Sequence, residues 1–151
     1  MTIGSETAGV TPAGEGLCGV VWDILGQTYK PLQVSAASFA FDTLFPPGTF
    51  VPPHIHPEQD EYIRVLEGRF DLWLDGAESS AVAGDLVRLP RGGAHGIFNK
   101  SGAAVRALFW VAPALGLYEL FTKLDGLADP GEVVRISAMH GVTFLPPPPA
   151  E

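Results

Sequence analysis

A chain of 151 residues with 46% hydrophobic content can bury one sizeable core and is too apolar to remain disordered. Its net charge of −8, with no cluster of Lys or Arg, argues against a nucleic-acid backbone or an anionic membrane surface as partner. The one cysteine, Cys18, rules out an internal disulfide and is expected as a small packed hydrophobe in a reducing compartment, while 18 Gly and 14 Pro suit many short strands and turns.

Residues 1–16 are rich in Gly, Ser, Thr, Glu and Ala and predict a mobile leader. With no Lys or Arg before Lys30 and no long apolar run, neither a signal peptide nor a transmembrane helix is expected, and a cytoplasmic location follows. From Leu17 onward the pattern is one of strands, the first two over residues 19–25 and 33–45. In the second, Phe39, Phe41, Thr43 and Phe45 alternate with Ser38, Ala40, Asp42 and Leu44, an aromatic row that favours core over ligand pocket. Trp22 is expected in the core as well. Pro46, Pro47 and Gly48 end this strand, and Pro52 and Pro53 precede His54, as suits a strand edge or rim where a missing N–H is tolerated.

The run from Phe70 to Leu74 alternates apolar and polar residues and closes on Asp75 and Gly76, the signature of a type I′ hairpin. Residues 79–83, 85–89, 94–98 and 104–111 supply further strands, the last two separated by a turn at Asn99. Beyond Pro113 the period changes. Leu117, Leu120, Phe121 and Leu124 fall at helical spacing, with Glu119 and Lys123 placed for a surface pair. Asp129, Pro130 and Glu132 then offer an N-cap, a first-position proline and a first-turn acid for a second helix that runs through Met139 and stops at Gly141. Residues 146–149 predict an extended, polyproline-like tail.

Two runs carry the chemistry. The first places His54 six residues after Gly48, then His56, Glu61 and Gly68; the second runs from Gly84 through Pro90, Arg91, Gly92 and His95 to Asn99. Three imidazoles and a carboxylate form a donor set suited to a divalent transition metal. In a strand His54 and His56 share a face. Glu61 lies an odd number of residues further on, so the strand must break, and Pro57 with Glu58, Gln59 and Asp60 supplies the interruption. After it Glu61, Ile63 and Val65 share one face, where an unpaired carboxylate is costly unless a cation meets it. Asp60 and Glu58 compete as donors, but Asp60 falls on the face of Tyr62 and Arg64 and Glu58 in the turn, so Glu61 is preferred. The turn at Pro90, Arg91, Gly92 and Gly93 can bring His95 towards the others.

These two runs resemble, position for position, the paired signature motifs of the cupin superfamily. The resemblance implies an all-β double-stranded β-helix, or jelly-roll, barrel over residues 17–113, short helices packed on it over 114–141 and a proline-rich tail over 142–151. It implies one divalent metal ion per chain, Fe, Mn, Ni or Zn, in the barrel mouth on His54, His56, Glu61 and His95. The flanks, Trp22 to Gly26 before the barrel and the Gly-Val-Thr-Phe-Leu-Pro run from Gly141 after the helices, look like those of small bacterial quercetin-dioxygenase-like proteins.

Such a donor set leaves metal positions open to a substrate oxygen or dioxygen, so a dioxygenase acting on a small aromatic or enolisable compound is the expected function. Similarity to quercetinase-like cupins makes Glu61 the expected catalytic base as well as a ligand. Ile63, Val65, Phe70, Leu72, Leu74, Leu89 and Ile97 are expected to line the site, although each is also an ordinary core residue. The alternatives are a redox-neutral isomerase or lyase and a non-catalytic small-molecule binder. Asn99 and Asp85 read as turn residues, Tyr62 and Arg64 as surface, and His140 lies too far along the chain to be a ligand. Trp73 and Trp110, with the habit of the family, lead to the expectation of a homodimer.

Overall fold

The computed structural model describes residues 7–146. The leader's first six residues and residues 147–149 of the expected polyproline tail lie outside them. Eleven strands form two antiparallel sheets among the described residues. The six-stranded sheet runs β1 (Trp22–Ile24), β2 (Gln27–Val34), β3 (Phe39–Phe45), β10 (Val105–Ala112), β5 (Asp60–Glu67) and β8 (Leu86–Leu89). The five-stranded sheet runs β11 (Thr143–Phe144), β4 (Phe50–Ile55), β9 (Ala94–Phe98), β6 (Arg69–Leu74) and β7 (Ala77–Val82). The expected jelly roll with helices behind it is what forms.

Local chemistry explains most boundaries. Asp75 and Gly76 take φ of 49° and 88°, the left-handed pair that a type I′ turn needs, and join β6 to β7. Helix α1 (Leu117–Leu124) buries Leu117, Leu120, Phe121 and Leu124, with Glu119 and Lys123 3.4 Å apart outside. Helix α2 (Pro130–Met139) is capped by Asp129, whose carboxylate accepts from Gly131 N. No helix among the described residues is long and apolar enough to cross a membrane.

Three expectations need correction. Residues 33–45 are two strands rather than one, because Ser35 and Ser38 close a tight turn through Ser35 N to Ser38 O at 2.9 Å, and Gln27–Val34 pairs with both neighbours. Only Trp22–Ile24 of residues 19–25 is strand, since Leu17–Gly19 makes a single 3₁₀ turn. Cys18 sits in that turn at φ 55° with its side chain exposed, not packed. Just before it, the leader touches β2, with Thr11 Oγ1 donating to Leu32 O and Lys30 Nζ to Gly14 O.

The core lies between the sheets and is aromatic. Phe45 meets Phe70 edge-on at 4.8 Å, Phe41 stacks on Phe109 at 5.4 Å, and α1 lowers Phe121 onto Trp22, Tyr29 and Phe41. Each fully buried ring is worth about 1.5–3 kcal/mol of transfer free energy, and each such pair about 0.5–1.5 kcal/mol more. Asn99, buried at the turn before β10, donates to Phe45 O and Ala103 O and accepts from Ser101, and Asp85 accepts from Val82 N; both are turn residues as expected.

Candidate metal centre

Three strands bring the donors together. His54 in β4 and His95 in β9 are direct cross-strand partners, so their side chains leave the five-stranded sheet on one face. His56 follows just beyond the end of β4, and Glu61 arrives from β5 on the opposite sheet. The register of β4 against β9 shifts between Val51 and His54, where two prolines have no N–H for the ladder. The turn after β8 is clasped to the turn before β5: Gly92 N donates to His56 O, and Arg91 donates through its backbone and guanidinium to Asp60. That clasp joins the two motif runs and removes Asp60 as a competing donor, its carboxyl held below the usual range chiefly by the Arg91 hydrogen bonds. Glu58 is exposed.

His54, His56, Glu61 and His95 are all buried, and one ligand atom from each lies within 4.8 Å of every other. Glu61 Oε2 is 3.1 Å from His95 Nε2, and Glu61 Oε1 is 3.8 Å from His56 Nε2. The rings of His56 and His95 are parallel within 2°. Donors about 2.1 Å from one ion stand about 3–4 Å apart, so a small inward movement suffices to ligate one.

The hydrogen bonds behind the rings fix which nitrogen is bare. His54 Nδ1 lies 2.7 Å from Pro52 O, a carbonyl that only accepts, so Nδ1 carries the proton and Nε2 keeps its lone pair. Gln59 does the same for His56. Its Nε2 donates to Pro113 O at 3.0 Å and Ala114 O at 2.7 Å, which turns Oε1 to His56 Nδ1 at 2.9 Å. In front, Glu61 Oε2 and His95 Nε2 stand 3.1 Å apart, buried and without a well-aligned hydrogen bond. Buried orphans of this kind are rare, and a cation between them satisfies both. The residues present therefore fit a divalent ion.

Ionisation agrees. Burial, then the neighbouring His95 and His56, push His54 down to about 3, so it is neutral at pH 7. Burial alone raises Glu61, but His56, then His95 and His54, outweigh it and hold the carboxyl at about 2. Neutral imidazole and ionised carboxylate are the forms that bind a cation.

Beside the donors lies a cavity of about 50 Å³. Of the seven expected lining residues only Ile97 reaches it; Ile63, Val65, Phe70, Leu72 and Leu89 are packed into the core, and Leu74 rests against it. Most of the wall comes from residues outside the motif runs: Ile24, Tyr29 and Phe41 from β1–β3, and Leu117, Leu120 and Phe121 from α1, which closes over it as a roof. Phe41 is thus both core and cavity wall, whereas Phe39 is core alone. The Tyr29 hydroxyl donates to Gln27 Oε1 at 2.7 Å, and Gln27 Nε2 donates to Phe50 O. No Lys or Arg lines the cavity. A larger hollow of about 1120 Å³ lies on the outer face of the five-stranded sheet around Phe50, Trp73 and Phe98 and contains none of the four donors.

The remaining candidates stay apart. His140 ends α2, with Nδ1 2.8 Å from Ile136 O and Nε2 3.2 Å from Lys123. Arg64 is exposed, and Tyr62 stacks on Trp110 at 5.4 Å on the outer face of the six-stranded sheet. In β9, a Cβ on Gly96 would stand 3.0 Å from the Phe98 ring and 3.2 Å from Pro53, so this glycine lets the ring cover the strand beside His95.

Residues 41–111 match the family model described as Cupin domain. The tetracenomycin polyketide synthase protein TcmJ of Streptomyces glaucescens is 30% identical over 84 residues, covering 55% of this chain and 56% of TcmJ, so the match spans little more than half of that relative. An RmlC-like cupin from Shewanella frigidimarina superposes with a TM-score of 0.66 at 20% identity over 76% of this chain and 98% of its own. A sugar phosphate isomerase of the cupin superfamily from Silicibacter pomeroyi gives 0.56 at 24% identity over 70% of each. At these identities the likeness is one of fold.

Proposed function

We propose that this chain, which belongs to the cupin superfamily, is a mononuclear metal-dependent dioxygenase-type oxidoreductase acting on a small aromatic or enolisable substrate. The observation that carries the reading is the buried quartet with its bare imidazole nitrogens and the orphaned pair at Glu61 and His95. His54, His56, Glu61 and His95 would hold the ion, and a bound Fe, Mn or Ni would lower the pKa of a substrate hydroxyl and support reaction with O₂. Glu61 would hold the ion and, when displaced from it, accept the hydroxyl proton of an incoming substrate. Phe41, Phe121 and Leu120 would exclude water from the reacting groups. With no cationic side chain to meet a phosphate or a second carboxylate, the apolar wall supports a neutral, weakly polar substrate. We also propose a cytoplasmic homodimer whose contacts use Trp73 or Trp110.

A second reading, a cupin that binds a small molecule without turning it over, is favoured by the cavity volume. About 50 Å³ holds only a few waters, so a ring enters only if the roof moves. Elemental analysis joined to oxygen-electrode assays with small dihydroxyaromatic and enolisable probes decides between them. One Fe, Mn or Ni per chain and turnover that stops under argon are expected. Zinc with O₂-independent turnover transfers the assignment to an isomerase or lyase, and saturable probe binding without turnover leaves a binding protein.

A further inference from the structure

Gln59 sits in the turn between His56 and Glu61, is 4% exposed, and has every polar atom of its side chain engaged. Both carbonyls at its nitrogen end only accept, so the amide has one possible orientation. One end fixes the His56 ring with Nδ1 protonated. The other holds Pro113 and Ala114, the segment that leads from β10 into α1. Ala114 is further tied by its N–H to Ala36 O and by its carbonyl to Leu117 N, and Leu117, Leu120 and Phe121 of that helix roof the cavity beside the donors. A single buried amide therefore spans from a donor ring to the hinge of the roof.

We propose that Gln59 is a positioning residue that links cation occupancy at the His56 position to closure of the 113–124 roof. The proposal rests on the reading of the quartet as a metal site and adds a path from that site to the element that controls access. When His56 is held by an ion, its ring no longer wanders, Gln59 is held behind it, and the roof hinge loses freedom. By reciprocity, displacing the roof loosens His56 and weakens the ion. A substrate that lifts α1 thus meets a more labile metal set, and the ion favours the closed roof.

Two substitutions separate the two ends of the amide. Gln59→Glu keeps an acceptor for His56 Nδ1–H but cannot donate to the Pro113 and Ala114 carbonyls. Gln59→Leu removes both. The full-length protein is titrated with zinc against a competing chelator, amide hydrogen exchange is followed over residues 114–124 with and without zinc, and the His56 tautomer is read from imidazole ¹⁵N shifts. In the unsubstituted protein, zinc is expected to slow exchange across the roof at least about tenfold. Gln59→Leu is expected to lose about 10–100-fold in zinc affinity, to exchange fast in the roof, and to show mixed His56 tautomers. Gln59→Glu is expected to keep zinc affinity within about tenfold and the Nδ1-protonated tautomer, yet lose the zinc-dependent slowing. The proposal is overturned if both variants retain that slowing, or if Gln59→Leu keeps both affinity and tautomer. Should Gln59→Leu not fold, Gln59→Glu alone still decides through the roof. If the unsubstituted protein binds no zinc, cobalt or iron, the metal reading itself fails, whereas binding that leaves roof exchange unchanged overturns only the link.

Discussion

Phe41 and Glu61 lie on strands of the same six-stranded sheet, both face inward, and are 1% and 3% exposed. Around Phe41 the rings of Phe39, Phe109, Phe121 and Tyr29 lie 4.9–5.5 Å away. Around Glu61 stand three imidazoles, and two polar atoms have no hydrogen bond. Burial in the first region is a source of stability; in the second the same burial costs desolvation, which the surrounding imidazoles offset, and it leaves two polar atoms without a well-aligned hydrogen bond. Equal exposure thus covers opposite energetics, and the difference separates what the barrel needs in order to fold from what it holds ready for a ligand.

Substitution at the two positions tests the contrast directly. Phe41→Ala is expected to destabilise the protein by about 3–5 kcal/mol in denaturant unfolding while keeping zinc affinity within about tenfold. An undiminished midpoint would mean that the aromatic row does not carry the core. Acid probes the other side. His54, held at about 3, stays neutral in the folded protein while the unfolded chain takes up its proton near pH 6.5. Stability of the metal-free protein is therefore full above pH 6.5 and lost as pH falls towards 3, by on the order of a few kcal/mol, and Glu61, held at about 2, adds a loss of the same sign below about pH 4.5. Thermal melts across that range check it, and a flat profile sinks the picture of a neutral, buried His54.

Glu61→Gln is expected to reverse the Phe41→Ala pattern. Metal affinity falls at least about a hundredfold, about 2.7 kcal/mol, whereas metal-free stability falls by less than the Phe41→Ala loss and no longer shows the Glu61 part of the decline below about pH 4.5. Chelator competition and denaturant curves on one preparation give both numbers. At the periphery, Asp129→Ala removes the cap of α2 and is expected to cost about 1 kcal/mol. Glu119→Ala, which breaks an exposed pair, is expected to shift stability by less than about 0.5 kcal/mol.

The quartet was legible because its logic is local. Two-residue alternation puts His54 and His56 on one face, the polar break resets the phase for Glu61, and the turn at Pro90 returns His95. The helices were legible for the same reason, since the caps and the spacing of the leucines sit within each segment. The cavity wall was not. Tyr29 and Phe41 meet Phe121 through contacts between residues about 80–90 positions apart, and no short-range period reports which side of the barrel a later helix will cover. Gln59 was hidden by its surroundings, reading as one more polar residue of a turn, because its partners at Pro113 and Ala114 become neighbours only once the barrel closes. The break at Ser35 to Ser38 was masked by the two alanines inside it, which suit a strand as well as a turn.

Gly96 gives the barrel wall a point of fragility. With Phe98 and Pro53 resting where its side chain would be, even a methyl group must push strand β9 inward or the ring outward, and the adjacent residue is His95. A change behind the strand, on the side away from the cavity, would therefore reach the centre through the backbone that carries one imidazole.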